Sequence, residues 1–343
     1  MLRKFRNVFL LLIALLIIVG GYFYIQYQKA GVPSDLSQSV YITIPTGSDY
    51  EAVLDILHRD NLIGDETIFN TLANRMSYRK DPMRPGRFRI DAGWTAIKLV
   101  RHLRSGKQAP IEVVLTNERE PLNVAAKAAR FLEADSSSIS ALLLNEKYLD
   151  SIGFTKETLM SIFIPNTYEF FWNTNPRAFV DRMLKEHDKF WTTVRKNQAE
   201  AKGLNQAEVY TLASIVEKET RFNEEKQRMA GVYLNRLKKN MLLQADPTSV
   251  FATRDFNTRR VLKYHTKFDS PYNTYKYPGL PPGPIAMASI ASLEAVLRAE
   301  EHEYIYFCAA GDGTSRHNFA ETYKQHLQNA KIYKKNLRKR GLR

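Results

Sequence analysis

The feature that most constrains this chain is an apolar run near its N-terminus. Residues 8–25, VFLLLIALLIIVGGYFYI, carry no charge. As a helix that rises about 1.5 Å per residue, this run spans roughly 27 Å, just enough to cross the hydrocarbon core of a bilayer. It exceeds the core of about 7–15 residues that is usual in signal peptides, and its end is aromatic, with no Ala-x-Ala cleavage site. We therefore predict a cytoplasmic tip and transmembrane anchor over residues 1–28.

Charge indicates the orientation of that anchor and the class of partner. Arg3, Lys4 and Arg6 precede the run and favour a cytoplasmic N-terminus, which places the rest of the chain outside the inner membrane, in the periplasm. The net charge is +14, from 50 basic and 36 acidic residues, which suits an anionic partner. Outside the cytoplasm we expect no nucleic acid. The single cysteine, Cys308, excludes an internal disulfide.

Composition and hydrophobic periodicity divide the remaining sequence. Residues 29–39 have the small, polar composition of a linker. Residues 40–108 carry the patterns of a strand, two helices, a second strand and a third helix that ends at Gly106. Residues 109–330 are mostly helical in pattern, with strand-like segments, and residues 331–343 form a basic tail for which a solvated helix end is the ordinary interpretation. The predicted fold class is α+β.

Two glutamates end the apolar run within residues 209–223, VYTLASIVEKETRFN. Asn205 and Glu208 have capping-box spacing, so we predict that the helix begins there. Glu219 continues one apolar stripe, whose other members are Leu212, Ile215 and Val216. Glu217 lies about 200° away around the helix. A carboxyl on a buried face has a raised pKa, as a general acid requires. The alternative is a structural carboxylate that pairs with a lysine.

Weaker candidates for the site lie downstream. Asp246 is a candidate second carboxylate, although an Asp before Pro is often a turn residue. The segment YNTY offers rings for the apolar faces of sugars and polar groups for their hydroxyls, with loop packing as the alternative; its residues are Tyr272, Asn273, Thr274 and Tyr275. The histidines show no metal-binding spacing and the sequence has no phosphate loop, so we predict no metal and no cofactor.

Several motifs, jointly and in order, resemble those of the membrane-anchored endolytic murein transglycosylases, the YceG-like proteins. They are ASIVEKET (213–220), VYLNRL (232–237), LLQADPT (242–248), YNTY with GLPPGPI (within 272–285), YIYF (304–307) and HNF (317–319). The resemblance covers the chain from the anchor to about Leu327. One departure is Asn166, where the family often has an aspartate.

The resemblance implies a LysM-like module at residues 40–108 and a catalytic domain with a lysozyme-like helical core at residues 109–330. It assigns catalysis to Glu219, which the helical stripe also singles out. Glu219 would protonate the oxygen that leaves C1 of N-acetylmuramic acid and then deprotonate the C6 hydroxyl of that sugar, closing a 1,6-anhydro ring without water. Substrate binding is expected from Gln244, Asp246, Tyr272, Asn273, Thr274, Tyr275 and His317.

The implied substrate is nascent peptidoglycan, cleaved internally beside the peptidoglycan synthases so that glycan elongation ends. One alternative stays open: a non-catalytic scaffold that binds peptidoglycan and recruits cell-wall synthases. A scaffold does not need a carboxyl group on an apolar face, so Glu219 discriminates between the two functions.

Overall fold

The computed structural model describes residues 2–29, 31–34, 36, 38–258 and 260–342. The chain forms two compact units. Unit 1 comprises Met1–Glu112, Phe131–Ala134 and Glu169–Asn175, and unit 2 comprises Val113–Arg130, Asp135–Tyr168 and Pro176–Arg343. The predicted linker at 29–39 includes Ala30, Asp35 and Ser37, which lie outside the described residues, as do the side chains of Arg3 and Lys4.

The first helix, α1 (Leu2–Lys29), contains the apolar run. Its stretch Phe5–Gln26 is long and apolar enough to cross a membrane. Large apolar side chains point outward along it; Leu11 is 70% exposed and Leu16 is 71% exposed. A continuous exposed apolar surface of this kind is typical of a helix that lies in lipid or against a partner. The helix is therefore compatible with a single-pass anchor.

Unit 1 follows the predicted order of strand, two helices, strand and helix. β1 (Val40–Ile44) pairs antiparallel with β2 (Gly86–Ile90). The helices are α2 (Tyr50–Arg59), α3 (Glu66–Arg75) and α4 (Ala96–Ser105). Asp49, Asp65 and Thr95 cap their N-termini by accepting a backbone N–H, and Gly106 ends α4 at a φ of +69°, as predicted. The apolar sides of these elements form one core around Phe69.

Two of the boundaries between the units fall within strands. β3 (Ile111–Leu115) and β4 (Asn166–Phe170) form the second two-stranded sheet of the described residues. The third sheet, in unit 2, pairs β5 (Tyr306–Ala309) antiparallel with β6 (His317–Ala320). The chain therefore mixes helices with small sheets, which confirms the coarse α+β prediction.

Unit 2 is mainly helical, and its core surrounds one buried helix, α10. Its helices are α5 (Pro121–Ala128), α6 (Ser136–Leu143), α7 (Glu146–Ser151), α8 (Pro176–Phe190), α9 (Thr193–Glu200), α10 (Gln206–Glu219), α11 (Asn223–Lys238), α12 (Asp246–Thr253), α13 (Lys263–Lys267), α14 (Ile290–Leu297) and α15 (Tyr323–Lys339), with a 3₁₀ turn at Leu159–Ile162.

The basic C-terminal segment continues a helix, so the boundary predicted at residue 330 falls inside α15. A capping box of Thr322 and Gln325 begins this helix. Asn329 and Asn336 then donate side-chain hydrogen bonds to the carbonyl oxygens of Phe319 and Ala310, beside the β5–β6 sheet. These bonds tie α15 to the sheet and explain why the helix runs on through the basic residues.

Candidate active site

The helix α10 carries both glutamates and begins at the predicted capping box of Asn205 and Glu208. Its residues 209–216 are all buried, because α11, α12 and α14 pack around it. The prediction of a single buried stripe is therefore wrong: α10 is packed on all sides. Exposure does not separate Glu217 from Glu219, so the difference between the two must come from their partners.

Glu217 is a structural carboxylate. Its Oε2 accepts hydrogen bonds from Ser289 Oγ at 2.5 Å and Ser292 Oγ at 2.6 Å, and Lys226 Nζ lies 3.1 Å away. Burial opposes ionisation of Glu217, but the two hydroxyls and the ammonium group outweigh it and hold its pKa below the usual value. The group joins α10 and α11 to the N-terminus of α14, where a negative charge is stabilised.

Glu219 is the last residue of α10, and its surroundings differ from those of Glu217. The Tyr233 hydroxyl, on α11, donates a hydrogen bond of 2.7 Å to Glu219 Oε1. Among the described residues, no lysine or arginine forms an ion pair with Glu219. Burial raises its pKa to about 7 and the charge of Asp246 adds to the rise, whereas the Tyr233 hydrogen bond opposes it. Glu219 can therefore hold or release a proton near neutral pH.

The carboxyl group of Glu219 faces a cavity of about 460 Å³ within unit 2. Its walls come from α11, the 243–246 segment, the loop at 275, the β5–β6 sheet and α15. The lining residues are Glu219, Arg236, Leu243, Gln244, Asp246, Tyr275, Tyr306, Phe307, Cys308, Ala309, His317, Tyr323 and His326. Four of the predicted binding residues thus share this cavity with Glu219: Gln244, Asp246, Tyr275 and His317.

Arg236 holds one wall of the cavity in place. Its Nε donates to the carbonyl oxygen of Ile305 at 2.6 Å, and its Nη1 donates to those of Leu242 and Leu243 at 3.0 Å each. The same Nη1 donates to Gln244 Oε1 at 3.3 Å. The guanidinium therefore fixes the segment before β5 and the turn that presents Gln244, which has a positive φ of 49°.

Asp246 and Tyr275 form a pair on the cavity wall. The Tyr275 hydroxyl donates a hydrogen bond of 2.6 Å to Asp246 Oδ1. Burial raises the pKa of Tyr275, and the hydrogen bond to Asp246 raises it further, so the Tyr275 hydroxyl keeps its proton. Asp246 thus lies at the same cavity as Glu219, whose pKa its charge raises.

His317 is held by a second carboxylate. Its Nδ1 lies 3.0 Å from Glu225 Oε2, and its backbone N–H donates to Glu225 Oε1 at 2.9 Å. Thr220, which follows Glu219, donates to the same Oε2 at 3.1 Å. Burial opposes ionisation of Glu225, but the bonds from His317 and Thr220 lower its pKa. The Glu225 carboxylate thus links the end of α10 to the His317 ring.

Three predicted binding residues do not line the cavity. Asn273 is fully buried, and its Nδ2 donates to the carbonyl oxygens of His265, Thr266 and Phe268. Thr274 is also buried; its hydroxyl lies 2.8 Å from that of Thr248 and accepts the Ala245 N–H. Tyr272 packs on Phe251, with ring centroids 4.9 Å apart. The structure thus assigns these three residues to the loop that carries Tyr275.

Comparison with known proteins decides the family. A family model described as the YceG-like family matches residues 42–332. This chain belongs to the YceG-like family. The family resemblance inferred from the motifs is confirmed.

Two relatives of this YceG-like chain carry the same name. It is 28% identical over 327 residues to a Bacillus subtilis (strain 168) protein named endolytic murein transglycosylase, which covers 91% of this chain and 89% of that protein. It is 27% identical over 344 residues to a protein of the same name from Streptococcus pneumoniae serotype 2 (strain D39 / NCTC 7466), covering 90% of this chain and 61% of the relative.

A solved structure resembles the fold of this YceG-like chain. The crystal structure of a yceG-like protein from Listeria monocytogenes superposes with a TM-score of 0.58 at 24% sequence identity. The match covers 84% of this chain and 98% of that one. At this identity the likeness concerns the fold alone.

Sequence reasoning on this YceG-like chain missed the two side chains that hold the site together. Tyr233 and Arg236 both lie in the motif VYLNRL, but nothing in their spacing shows that one touches Glu219 and the other clamps the cavity wall. The only signal in the sequence is their spacing: Tyr233 and Arg236 are three residues apart, so they lie on the same face of α11. Among the described residues, no three His, Cys, Asp or Glu side chains are grouped as metal ligands.

Proposed function

We propose that this protein is an endolytic murein transglycosylase, a lyase that cleaves the β-1,4 bond between N-acetylmuramic acid and N-acetylglucosamine within peptidoglycan strands. The observation that carries the proposal is the environment of Glu219. Its carboxyl group faces a cavity, has a pKa of about 7, and is held by a neutral hydroxyl instead of a cation. Membership of the YceG-like family and the names of the relatives support the same activity.

The reaction requires one group that first gives and then takes a proton. Protonated Glu219 donates its proton to the glycosidic oxygen as the C1–O bond of the muramic acid breaks. The resulting carboxylate then removes the proton of the C6 hydroxyl in the same sugar, and that oxygen bonds to C1. The product carries a 1,6-anhydro ring, and Glu219 is protonated again. A pKa of about 7 suits both steps, because acid and base forms are then of similar free energy at neutral pH.

The neighbours of Glu219 suit the charge that develops in this reaction. Positive charge builds at C1 as the bond breaks, and the fixed carboxylate of Asp246 would stabilise it without itself becoming a nucleophile. Tyr233 favours the ionised form of Glu219 once the proton has left. Gln244, Tyr275 and His317 would orient the sugar through hydrogen bonds, and the ring of Phe307 offers an apolar surface to its face.

We further propose that α1 anchors the protein in the inner membrane, with its N-terminus in the cytoplasm and both units in the periplasm. The apolar stretch Phe5–Gln26 supports an anchor, and Arg6 supports that orientation. In this arrangement residues 40–108 are a LysM-like module and unit 2 holds a lysozyme-like helical core. The substrate is then nascent glycan beside the synthases, and cleavage ends chain elongation.

Mass spectrometry of the products tests the proposed activity. The full chain in detergent would be incubated with purified peptidoglycan, beside Glu219→Gln and a matched control, Glu224→Gln, which neutralises an exposed carboxylate on the next helix. We expect internal fragments with 1,6-anhydro ends from wild type and from the control, and none from Glu219→Gln.

Other products would refute parts of the proposal. Reducing ends would mean that water is the acceptor and that a second carboxylate, with Asp246 first, acts in the reaction. Glycan binding without cleavage by wild type would favour the non-catalytic scaffold. Anhydro-ended products from Glu219→Gln would exclude Glu219 as the acid.

A further inference from the structure

Unit 1 contains a second cavity, of about 860 Å³, whose lining is strongly basic. One face of α4 forms its floor: Lys98, Arg101, His102 and Ser105 follow one another at helical spacing. Lys107 and Arg89 add two more cations, and Asp91 is the one acidic residue among the lining residues that the structure describes. A cavity with four cationic side chains and one carboxylate attracts anions.

Most of this positive charge is not neutralised within the protein. Asp91 bonds to Arg89 Nε at 2.9 Å and accepts the Ser39 hydroxyl at 2.7 Å, so this carboxylate is already paired. Among the described residues, Lys98, Arg101 and Lys107 form no ion pair with a carboxylate. All three are exposed at the cavity, so a bound anion would meet three free cations.

One residue that lines the cavity, His102, has a buried polar atom without a hydrogen-bond partner in the described part of the chain. His102 Nε2 is buried, and no described residue forms a hydrogen bond with it. Burial and the Lys107 ammonium lower the pKa of this histidine, so the ring is neutral and Nε2 either donates or accepts. A buried polar nitrogen without a partner carries a desolvation cost, which a ligand oxygen would remove.

The chain itself holds this cavity close to the end of α1. The Val32 N–H donates to the Trp94 carbonyl oxygen at 2.7 Å, and a side chain on Gly31 would collide with that same oxygen. The apolar stretch of α1 ends at Gln26. Six residues, at no more than about 3.6 Å each, separate Gln26 from Val32, so Val32 lies within roughly 22 Å of that end. Trp94 lines the cavity, with Lys98 Nζ 4.4 Å from its ring centroid.

We propose that this basic cavity of unit 1 binds the phosphate headgroup of an anionic phospholipid in the leaflet from which α1 emerges. Three cations without a carboxylate partner among the described residues and the unpartnered Nε2 of the half-buried His102 suit phosphate oxygens, and a tryptophan beside cations is typical of a membrane interface. The proposal rests on α1 lying in a membrane and is independent of the transglycosylase activity. The bound lipid would hold unit 1 against the bilayer surface.

Hydrogen exchange on the full chain in lipid nanodiscs tests this proposal. Discs of phosphatidylcholine alone would be compared with discs that contain increasing phosphatidylglycerol, with exchange followed in peptides that cover residues 94–108. The variant K98Q/R101Q/K107Q removes the unpaired cations. The control R59Q/R75Q/K80Q removes the same charge from exposed positions of unit 1 outside the cavity.

We expect phosphatidylglycerol to slow exchange in residues 94–108 of wild type and of the control. Because each cation near a bilayer contributes about fivefold to binding, the cavity variant should need at least about tenfold more phosphatidylglycerol. If that variant folds poorly, Arg101→Gln alone should still weaken protection severalfold.

Three results would overturn the proposal. The first is equal protection in phosphatidylcholine discs when inorganic phosphate is added, which would mean a site for free phosphate. The second is protection by soluble glycan but not by phosphatidylglycerol, which would mean a sugar site. The third is equal weakening in the cavity and control variants, which would mean attraction by net charge without a site.

Discussion

The hydrogen bond from Tyr233 to Glu219 makes a quantitative prediction about the acid. Tyr233→Phe removes the only donor that Glu219 has among the described residues, while the ring that buries Glu219 stays. The bond favours the ionised carboxylate, so its loss should raise the pKa of Glu219 above about 7. A hydrogen bond to a charged group contributes about 1.5–3 kcal/mol, and one pKa unit corresponds to about 1.4 kcal/mol. The expected rise is therefore roughly one to two units.

The alkaline limb of the pH dependence of kcat/KM measures this shift, because cleavage needs protonated Glu219 and falls when the pH exceeds its pKa. Tyr233→Phe should move that limb upward by one to two units. Asp246→Asn removes a like charge and should move it downward. Carbon-13 NMR of labelled glutamate carboxyls, assigned with Glu219→Gln, gives the same pKa without turnover. A downward shift in Tyr233→Phe, or shifts of the same sign in both variants, would refute this account of the acid.

Three further predictions concern stability, measured by urea unfolding of the full chain in detergent. Glu217→Gln leaves Lys226 buried without its partner and should cost about 3 kcal/mol at pH 7. Because the folded pKa of Glu217 lies below its ordinary value, this loss should shrink only in acid, as the pH falls through that lowered pKa. Glu219→Gln should change the free energy of unfolding in the opposite direction. Because the folded pKa of Glu219 is raised, wild type loses stability as the pH rises from 4.5 to about 7. The variant should therefore be about 3 kcal/mol more stable than wild type at pH 8 and equally stable at pH 4. Asn273→Ala leaves three loop carbonyl oxygens without their donor and should cost about 2–3 kcal/mol at any pH; an unchanged midpoint would show that the loop is held by other contacts.

Local signals in the sequence were sufficient for unit 1. The strand-like segment before α2, the helical spacing of apolar residues in α2 and α3, and Gly106 after α4 each specify one element, and all of these elements are present. They succeed because short strands, caps and C-terminal glycines are determined by neighbouring residues. The same kind of signal identified the capping box that begins α10.

Periodicity failed where the environment is determined by tertiary contacts. Ser214 lies opposite the predicted stripe but is fully buried, and it accepts the Ile285 N–H from a distant loop. The stripe singled out Glu219 by burial alone. Both glutamates are partly buried, and what distinguishes them is their hydrogen-bond and ion-pair partners. Asn273 was predicted from its chemistry as a sugar ligand, but its amide is used by its own loop. A sequence does not show which polar groups the fold has already satisfied.

The order of the cavity walls along the chain has a consequence for biogenesis. Glu219 and Tyr233 are translated well before β5, β6 and α15, which supply Phe307, His317 and Tyr323 to the cavity. A growing chain thus carries the acid before it has the walls of the cavity that bury it. In that state the carboxyl group is solvated and ionised at neutral pH. An unfinished chain therefore lacks the buried carboxyl group on which the proposed activity depends.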